Sequence, residues 1–461
     1  MLSKRILALF VAPLMLGGCT TMQSLGGHIG SAVGLDDDAP KSYTASAVSE
    51  PTRAGIAVSD EPLAARAGAS ALASSGSAVD AVTAMFFTLS ATYPVAAGLG
   101  AGGICLVRDA GGQVSEYDFL TRTPARGGAY AVPGAVRGFA DMQRDHGMLP
   151  WQRVVAPGEA YAATGFPISQ ALAVRLAGAQ NQVRLDADLA AEFLDESGQA
   201  RAAGTEVKNA ALAQTLAEIR LNGADGFYRG LVAARIESWS TAQGGAVDLN
   251  ELAAVRSTSG AARSRGTGEF ITWLPGARTG AGVFTASLLD NLSHSRGSDV
   301  AGAVRQSLTS FGVTALPHDL GSTGFAAVDA SGQAASCAVT LNGPFGAGRT
   351  AAGTGVQLAA SPVGQSGLAS AFLAPLIATN SDGVAIAAAG AGGPNGTAAA
   401  VTAVLEAAGG RKLGRRGDLR GTGAAPFDTV NVIACDTTSC VGLSDPGAHG
   451  AGAAAEVASN P

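Results

Sequence analysis

The chain has 461 residues, of which 47% are hydrophobic, 14% are charged and 64 are glycine. Its formal net charge is −6 and no basic stripe runs along it, which argues against nucleic acid as a partner. About 410 residues follow the first 52, which is enough for a large core or for two domains. The composition is therefore that of a globular protein of enzyme size.

The first 18 residues have the pattern of a secretory signal. Two basic residues precede an apolar run, Ile6 to Leu16, which is too short to span a bilayer. Because this run ends in Leu-Gly-Gly-Cys19, it is typical of a bacterial lipoprotein signal that is cleaved before Cys19, with lipid on the sulfur; a plain signal peptide is the alternative. We expect a lipid-anchored protein of the bacterial cell envelope, and Thr20 rather than Asp favours the outer membrane, facing the periplasm. Residues 19–52 are polar and rich in glycine, which predicts a flexible tether.

A glycine-rich run follows two predicted helices. Ala65 to Ser74 has the apolar periodicity of a helix, and Gly76-Ser-Ala-Val-Asp-Ala81 opens a second one. The run Tyr93 to Gly103 then leads into an apolar strand, Ile104 to Arg108. A phosphate-binding loop is the alternative for this run, but it lacks the Lys-Ser/Thr pair of a P-loop and precedes a strand rather than a helix. The sequence predicts no cofactor.

The most informative segment runs from Gly321 to Gly348. Ser322 opens an alternating strand, Asp329-Ala-Ser-Gly332 forms a turn, and a second strand runs from Ala334 to Leu341, so the pattern predicts a β-hairpin. If the peptide bond before Ser322 breaks, this residue becomes a new N-terminus whose free amine can act as base for its own hydroxyl. An ordinary hairpin with an incidental serine is the alternative.

Four cysteines follow Cys19. Cys435 and Cys440 flank a turn between two apolar strands, and in an oxidising compartment they could pair across a hairpin. A metal site is disfavoured there because no histidine cluster accompanies the pair. Cys105 and Cys337 lie in apolar runs typical of strands. We expect buried free thiols at these two positions, with a bridge between them as the alternative.

The segment that begins at Ser322 resembles the start of the small subunit of γ-glutamyltranspeptidases, which are N-terminal-nucleophile hydrolases. The family pattern Thr-Thr-His-x-Ser-Val-Val-Asp corresponds to Ser322-Thr-Gly-Phe-Ala-Ala-Val-Asp329. The spacing to Ala338-Val-Thr-Leu-Asn342 and to Phe345-Gly-Ala-Gly348 is also kept. Blocks that resemble the family's large subunit precede this segment, and they include Gly76 to Ala81, Tyr93 to Gly103, Val132 to Phe139 and Gly226 to Gly230. The resemblance as a whole covers residues 53–285 and 320–450.

This resemblance implies an α/β fold, a four-layer αββα sandwich of mostly antiparallel sheets. Residues 53–321 would form a large-subunit-like region, and residues 322–461 a small-subunit-like region that packs into the same domain. The resemblance assigns Ser322 as the nucleophile, Thr340 as the residue that orients its Oγ, and Asn342 as a substrate contact. The sequence independently supplies mixed helices and strands, with hairpin turns at 109–112, 329–332 and 380–383.

The chain departs from the family where the glutamyl group is held. Leu120 stands where the family has an arginine that clamps the substrate's α-carboxylate. Arg122 lies two residues later on the same face of a strand and is the candidate substitute, with Arg349 as another. A shift of about 7 Å along a strand does not suit a bidentate clamp without rebuilding. Residues 356–367 contain no acid to receive the α-amine, and the family's serine pair is missing from residues 370–375.

The oxyanion hole is the last element that the resemblance implies. The run Gly390-Ala-Gly-Gly-Pro-Asn-Gly-Thr397 precedes a predicted helix, Ala398 to Ala408, and its Gly392 and Gly393 can present backbone N–H groups to a developing oxyanion. Asn395-Gly396 is the alternative pair, since Pro394 donates no N–H. A glycine-rich start of a helix without any catalytic role is the other interpretation.

Three functions remain open from the sequence. The first is an exported amidohydrolase or acyltransferase, self-processed before Ser322, whose small amide or peptide substrate differs from a standard γ-glutamyl compound. The second is a catalytically inactive relative that serves as a binding or scaffold lipoprotein of the envelope. The third is an unrelated envelope lipoprotein with a generic α/β body. Neither enzyme nor scaffold requires a metal or another cofactor.

Overall fold

Two antiparallel sheets of seven strands each form the centre of the described residues in a computed structural model of the chain. The first sheet has the spatial order β18 (Ala451–Ala454), β2 (Ile56–Ser59), β10 (Ser322–Val328), β11 (Ala334–Thr340), β3 (Gly102–Arg108), β4 (Val114–Asp118) and β7 (Thr258–Ala261). The second has the order β1 (Val48–Pro51), β17 (Ser439–Ser444), β16 (Thr429–Cys435), β15 (Gly383–Ala391), β14 (Ala374–Asn380), β9 (Phe270–Leu274) and β8 (Arg263–Thr267). Two short pairs complete the strands: β5 (Phe166–Pro167) with β6 (Glu206–Val207), and β12 (Thr350–Ala351) with β13 (Val356–Gln357).

The structure describes residues 48–51, 55–294, 299–414, 418–419, 427–445 and 447–455, all of which belong to the unit Tyr43–Pro461. The predicted signal at residues 1–18, Cys19 and nearly all of the predicted tether lie outside the described residues. Within the described ranges, no helix has both the length and the apolar character that crossing a membrane requires.

The two sheets pack face to face, and helices cover both outer faces. Between the sheets lies a small apolar cluster that includes Ile56, Leu106, Ile377 and Ile433. The first sheet is covered by α1 (Pro62–Ala73) and α2 (Ala78–Thr92). The other helices of the first half of the chain belong to the same layer: α3 (Ala135–His146), α4 (Trp151–Thr164), α5 (Gln170–Val183), α6 (Ala187–Phe193), α7 (Ala210–Asn222), α8 (Asp225–Tyr228), α9 (Gly230–Ala242) and α10 (Leu249–Ala253). The second is covered by α11 (Gly280–His294), α12 (Val300–Ser310), α13 (Leu368–Ala371) and α14 (Pro394–Ala408). The expected αββα sandwich is confirmed.

Local sequence chemistry explains where the predicted elements begin and end. All three predicted hairpin turns join antiparallel neighbours, namely β3 with β4, β10 with β11, and β14 with β15. α2 begins at a capping box in which Ser77 and Asp80 satisfy each other's backbone N–H groups. α14 begins at Pro394, four residues before the predicted start, because proline suits the first turn, where no N–H partner is needed.

Both cysteine pairs form disulfides. Cys435 and Cys440 are linked across the hairpin of β16 and β17, as the sequence suggested. Cys105 and Cys337 are also linked, so the expectation of free thiols at these positions is wrong. The sequence could not reveal this bond, because it joins residues 232 positions apart that become direct partners only when β3 pairs with β11.

Candidate active site

Ser322 is the first residue of β10, a central strand that is hydrogen-bonded to β2 on one side and to β11 on the other. The side chain is 1% exposed. Its Oγ accepts a hydrogen bond of 2.8 Å from the backbone N–H of Gly392, which directly follows β15 of the other sheet. The predicted nucleophile and one residue of the predicted oxyanion hole are therefore in contact.

The bond before Ser322 is held in a conformation that only glycine adopts readily. Gly321 has a φ of +59°, and a Cβ on it would lie 1.9 Å from the carbonyl oxygen of Gly343. The hydroxyl of Thr340 donates to the carbonyl oxygen of Gly321 at 3.0 Å, and it lies 3.3 Å from that of Leu320. Since a hydroxyl has a single proton and Thr340 accepts the N–H of Asn342 at 2.9 Å, this proton is directed to the carbonyl side.

Thr340 was expected to orient the Oγ of Ser322. The register does place the two residues directly opposite each other in the hairpin. In the continuous chain, however, the hydrogen bonds of the Thr340 hydroxyl run to the carbonyl group that precedes Ser322 and not to its Oγ. A donor in this position polarises the carbonyl that an attack by Ser322 would convert to an oxyanion.

The glycine pair at the start of α14 meets the nucleophile through Gly392. Gly392 has a φ of +88°, and a Cβ there would lie 1.8 Å from the carbonyl oxygen of Phe427. Gly393 is the N-cap residue of α14, whose positive dipole end therefore points toward the site. Of the two pairs considered from sequence, Gly392-Gly393 contains the residue that touches Ser322, whereas the side chain of Asn395 is bound to Asp428 at 2.6 Å.

Asn342 lies at the end of the hairpin in a left-handed conformation, with a φ of +61°. Its side-chain N–H groups donate to the hydroxyl of Thr121 at 3.0 Å and to the carbonyl of Ala360 at 2.8 Å. Its Oδ1 is buried and has no hydrogen-bond partner among the described residues. A buried acceptor of this kind is costly unless water or a ligand donates to it, and this leaves Asn342 able to accept a hydrogen bond in the predicted role of a substrate contact.

The candidate replacements for the glutamyl clamp lie elsewhere. Arg122 forms an ion pair with Glu251 of α10 and donates to its backbone carbonyl at 2.9 Å, and its side chain is 45% exposed. Arg349 donates to the backbone carbonyl of Leu185. Leu120 packs against a small apolar cluster that includes Ile104 and Leu373. The surroundings of Leu120 are thus apolar, and the described contacts bring neither Arg122 nor Arg349 to Ser322.

Arg175 and Asp319 are site residues that the sequence did not single out. Arg175, on α5, forms a buried ion pair with Asp319 and also donates to the carbonyl oxygen of Ser322 at 3.1 Å. Burial alone would lower the pKa of Arg175, but the charge of Asp319 and the contact with Tyr93 raise it overall. A lone arginine within an amphipathic helix gave no signal of this contact.

Two more buried acids flank the nucleophile. Asp428 lies beside Gly393, since a Cβ on that glycine would be 2.1 Å from the Asp428 Oδ1, and burial raises the pKa of Asp428 to about 7. Asp60 accepts hydrogen bonds from the hydroxyl of Thr323, which follows the nucleophile, and from Thr429 and Asn431 in the other sheet. Burial raises the pKa of Asp60 as well. Asp60 thus joins the two sheets next to Ser322.

Comparison with known proteins now assigns the chain to a family. Residues 64–307 match the family model described as gamma-glutamyltranspeptidase. The chain belongs to this family. The matched region ends before Ser322, so the assignment rests on the part of the chain that precedes the candidate nucleophile.

Curated relatives agree with this assignment. The chain is 29% identical over 269 residues to a glutathione hydrolase proenzyme of Escherichia coli K12, an alignment that covers 53% of this chain and 45% of the relative. It is 28% identical over 229 residues to the acylase ACY 1 proenzyme of a Pseudomonas species, covering 44% of this chain and 41% of that relative. The chain therefore spans less than half the length of these two relatives.

A solved structure shows the same fold over most of the chain. The cephalosporin acylase from Bacillus halodurans aligns with 88% of this chain and 96% of its own, with a TM-score of 0.69 and 18% sequence identity. At this identity the likeness concerns the fold alone. It extends beyond the 64–307 region and so includes most of the described small-subunit-like part.

Proposed function

We propose that this protein is an exported amidohydrolase or acyltransferase of the γ-glutamyltranspeptidase type that cleaves its own chain before Ser322. It would act on a small amide or peptide substrate other than a standard γ-glutamyl compound. One observation carries the proposal: the hydroxyl of Thr340 donates to the Gly321 carbonyl, immediately before a serine whose Oγ accepts the N–H of Gly392. A nucleophile, its target carbonyl and a donor for the resulting oxyanion are thus adjacent.

Self-cleavage follows from this arrangement. The Oγ of Ser322 attacks the carbonyl carbon of Gly321, and the negative charge that develops on the carbonyl oxygen is stabilised by the Thr340 hydroxyl. The proton of Oγ passes to the departing nitrogen of Ser322, which leaves an ester between the Gly321 acyl group and Oγ. Water then hydrolyses the ester, which yields a Gly321 carboxylate and a Ser322 with a free amine and a free hydroxyl.

Turnover uses the new N-terminus. The amine of Ser322 takes the proton of Oγ as Oγ attacks an amide carbonyl of the substrate. Backbone N–H groups at Gly392 and Gly393, at the positive end of α14, stabilise the oxyanion. The proton passes to the departing amine, and water or another amine then takes the acyl group from Oγ. None of these steps needs a metal or another cofactor.

The substrate preference is inferred from the residues around the nucleophile. Leu120 lies in an apolar cluster and Arg122 is bound to Glu251, so that neither offers a charge to an α-carboxylate. A site without partners for the charged ends of a glutamyl group discriminates against it, because those ends lose water and gain no hydrogen bonds. The acyl group is therefore proposed to be less polar at this end.

Export to the cell envelope is part of the same proposal. The signal pattern at residues 1–18 and the lipid acceptor Cys19 support a lipid anchor, and Thr20 supports sorting to the outer membrane. Two disulfides support an oxidising compartment. Labelling of growing cells with a radioactive or clickable fatty acid tests the anchor, and Cys19→Ala should abolish the label.

The test of self-cleavage is a mass measurement on the denatured protein. The chain from residue 20 onward, exported so that its disulfides form, should yield two fragments, the second beginning at Ser322, whereas Ser322→Ala stays a single chain. Cys105 and Cys337 lie on opposite sides of the cleavage point, so the fragments remain linked until the disulfide is reduced. A wild-type chain that stays whole after reduction and prolonged incubation would overturn the proposal.

A catalytically inactive binding or scaffold protein is the second candidate. The apolar surroundings of Leu120 favour it, because the residue predicted to stand at the place of the family's arginine packs against apolar neighbours and offers no charge to a glutamyl group. A lasting single chain with an unchanged fold, together with recovery of a partner from the envelope, would support this second function over the first.

A further inference from the structure

A buried carboxylate–guanidinium pair lies next to the bond that self-cleavage would break. The Nε of Arg175 donates to the Oδ2 of Asp319 at 3.1 Å, and its Nη2 donates to Oδ1 of the same carboxylate. The two side chains are 3% and 9% exposed. This two-pronged geometry fixes both distance and orientation, which a single hydrogen bond does not.

The pair reaches both sides of the bond. On the Gly321 side, the Oδ1 of Asp319 accepts the N–H of Gly321 at 2.7 Å. On the other side, the Nη1 of Arg175 donates to the carbonyl oxygen of Ser322 at 3.1 Å. A single guanidinium therefore connects the residue before the bond, through Asp319, with the residue after it.

Stability alone does not account for such a pair. A buried ion pair adds little to stability compared with apolar side chains of the same size, because removing both charges from water offsets most of their attraction. What the pair does supply is a fixed position for residues 319–322. Attack geometry depends strongly on such positioning, and a displacement of about 1 Å can slow a reaction by about 100-fold.

We propose that Arg175 is a positioning residue for self-cleavage: it forms a carboxylate site that Asp319 fills, and the filled site holds the Gly321 carbonyl in line with the Oγ of Ser322. This inference rests on the proposed self-cleavage. The guanidinium touches the chain on both sides of the bond but neither of the two reacting atoms. It acts through the placement of Gly321 and Ser322.

The test measures the rate of cleavage in freshly made chains. Protein labelled in a short cell-free translation is followed over time on reducing denaturing gels, for wild type, Arg175→Met, Arg175→Lys, Asp319→Asn and Asp319→Gly. We expect Arg175→Met and Asp319→Asn to cleave about 100-fold more slowly than wild type. The cleavage rate of Arg175→Lys should lie between those of wild type and Arg175→Met, because lysine keeps the positive charge but cannot make the two parallel hydrogen bonds of a guanidinium.

Chemical rescue separates positioning from a merely structural role. In Asp319→Gly the carboxylate is missing, and sodium formate should restore cleavage at least about 10-fold over sodium chloride of equal ionic strength, because formate fills the site on Arg175. Formate should not restore Arg175→Met. The matched control is Arg220→Met, which breaks the half-buried pair of Arg220 with Glu159 between α7 and α4 and should leave the cleavage rate unchanged.

The outcomes are distinguishable. The positioning role is overturned if Arg175→Lys cleaves at the wild-type rate and Asp319→Gly does not respond to formate. Self-cleavage itself stands in that case, because the wild-type chain still cleaves. If Arg175→Met fails to fold, as its lost circular dichroism would show, the lysine variant and the formate response decide. Wild type that never cleaves overturns self-cleavage itself, and the role of Arg175 with it.

Discussion

The candidate site has a reaction half and a recognition half, and the two differ in the polar contacts that they provide. The reaction half, which consists of Ser322, Thr340 and Gly392, is polar and its hydrogen bonds connect directly to the bond before the nucleophile. The recognition half, to which the sequence assigned Leu120, Arg122 and residues 356–367, has an apolar cluster around Leu120 and an arginine bound to Glu251. The reaction half is built by paired central strands and backbone N–H groups, whereas the recognition half depends on side chains at the ends of strands and in loops. Recognition can therefore change while attack geometry persists.

The strongest test of the reaction half removes the nucleophile. Ser322→Ala should abolish both self-cleavage and amide hydrolysis, a fall of at least about 10⁴-fold, because the substitution removes the attacking oxygen. Mass spectrometry of the reduced protein and a hydrolysis assay check both effects. Ser331→Ala, in the turn of the same hairpin, is the control and should behave as wild type. Cleavage that continues in Ser322→Ala would place the nucleophile elsewhere.

The donor to the Gly321 carbonyl should have the next largest effect. Thr340→Val keeps the shape of the side chain but removes the hydroxyl, and we expect self-cleavage to slow by about 10²- to 10³-fold, as when an oxyanion donor is lost. Thr340→Ser should retain most of the rate. The measurement is the half-time of the pulse-labelled chain, and equal half-times for valine and threonine would remove Thr340 from the reaction half.

The recognition half predicts a preference between two acyl groups. For the processed protein, kcat/KM for butyryl p-nitroanilide should exceed that for γ-glutamyl p-nitroanilide by at least about 100-fold, because the second adds two charged groups and neither Leu120 nor Arg122 is free to pair with them. Release of p-nitroaniline gives both values. A preference for the glutamyl compound would mean that its clamp has been rebuilt from residues other than Leu120 and Arg122.

The last prediction concerns the stability of the protein rather than its reaction, and it rests on Asp428, at the border of the two halves. Burial raises its pKa from 3.8 to about 7, so it contributes stability that is fully present below about pH 4 and is lost as the pH rises through 7. Asp428→Asn should make the free energy of unfolding less dependent on pH over this range, by up to about 4 kcal/mol. Denaturant titrations in the uncleaved Ser322→Ala background check this, because a single chain unfolds there.

Other buried acids do not obscure that comparison. Burial raises the pKa of Glu61 to about 7 and that of Glu192 to about 8. Their ionisation lowers the free energy of unfolding as the pH rises, and it does so equally with and without Asp428→Asn. Only the difference between the two titrations reports on Asp428. Parallel curves of unfolding free energy against pH, with and without Asp428→Asn, would contradict the burial of Asp428 as a neutral acid.

The αββα sandwich and the residues of the reaction half were predicted from the resemblance to the family, and local patterns added the helices, strands and hairpin turns. The alternation after Ser322, the turn at residues 329–332 and the glycines at 392 and 393 are short-range signals, and the structure brings Gly392 to Ser322. The pair of Arg175 with Asp319 could not be foreseen, because 144 residues separate them and a lone arginine in a helix has no distinctive neighbours. The Cys105–Cys337 bond escaped for the same reason, since it depends on which strands pair.

The recognition half shows the opposite limit. The sequence predicted that the clamp is lost at Leu120 and offered Arg122 as its replacement, on the ground that both lie on one face of a strand. The structure instead binds Arg122 to Glu251, in a helix 129 residues further along the chain. A competing acid from a distant segment cannot be recognised from the spacing of the arginine alone.

The central claim is that the chain breaks between Gly321 and Ser322. The most direct measurement is the intact mass of the exported protein before and after reduction, followed by sequencing of the N-terminus of the smaller fragment. We predict one disulfide-linked species before reduction, two fragments after it, and a sequence that begins Ser-Thr-Gly-Phe. A single mass that reduction does not divide, or a fragment that begins at any other residue, would contradict the account.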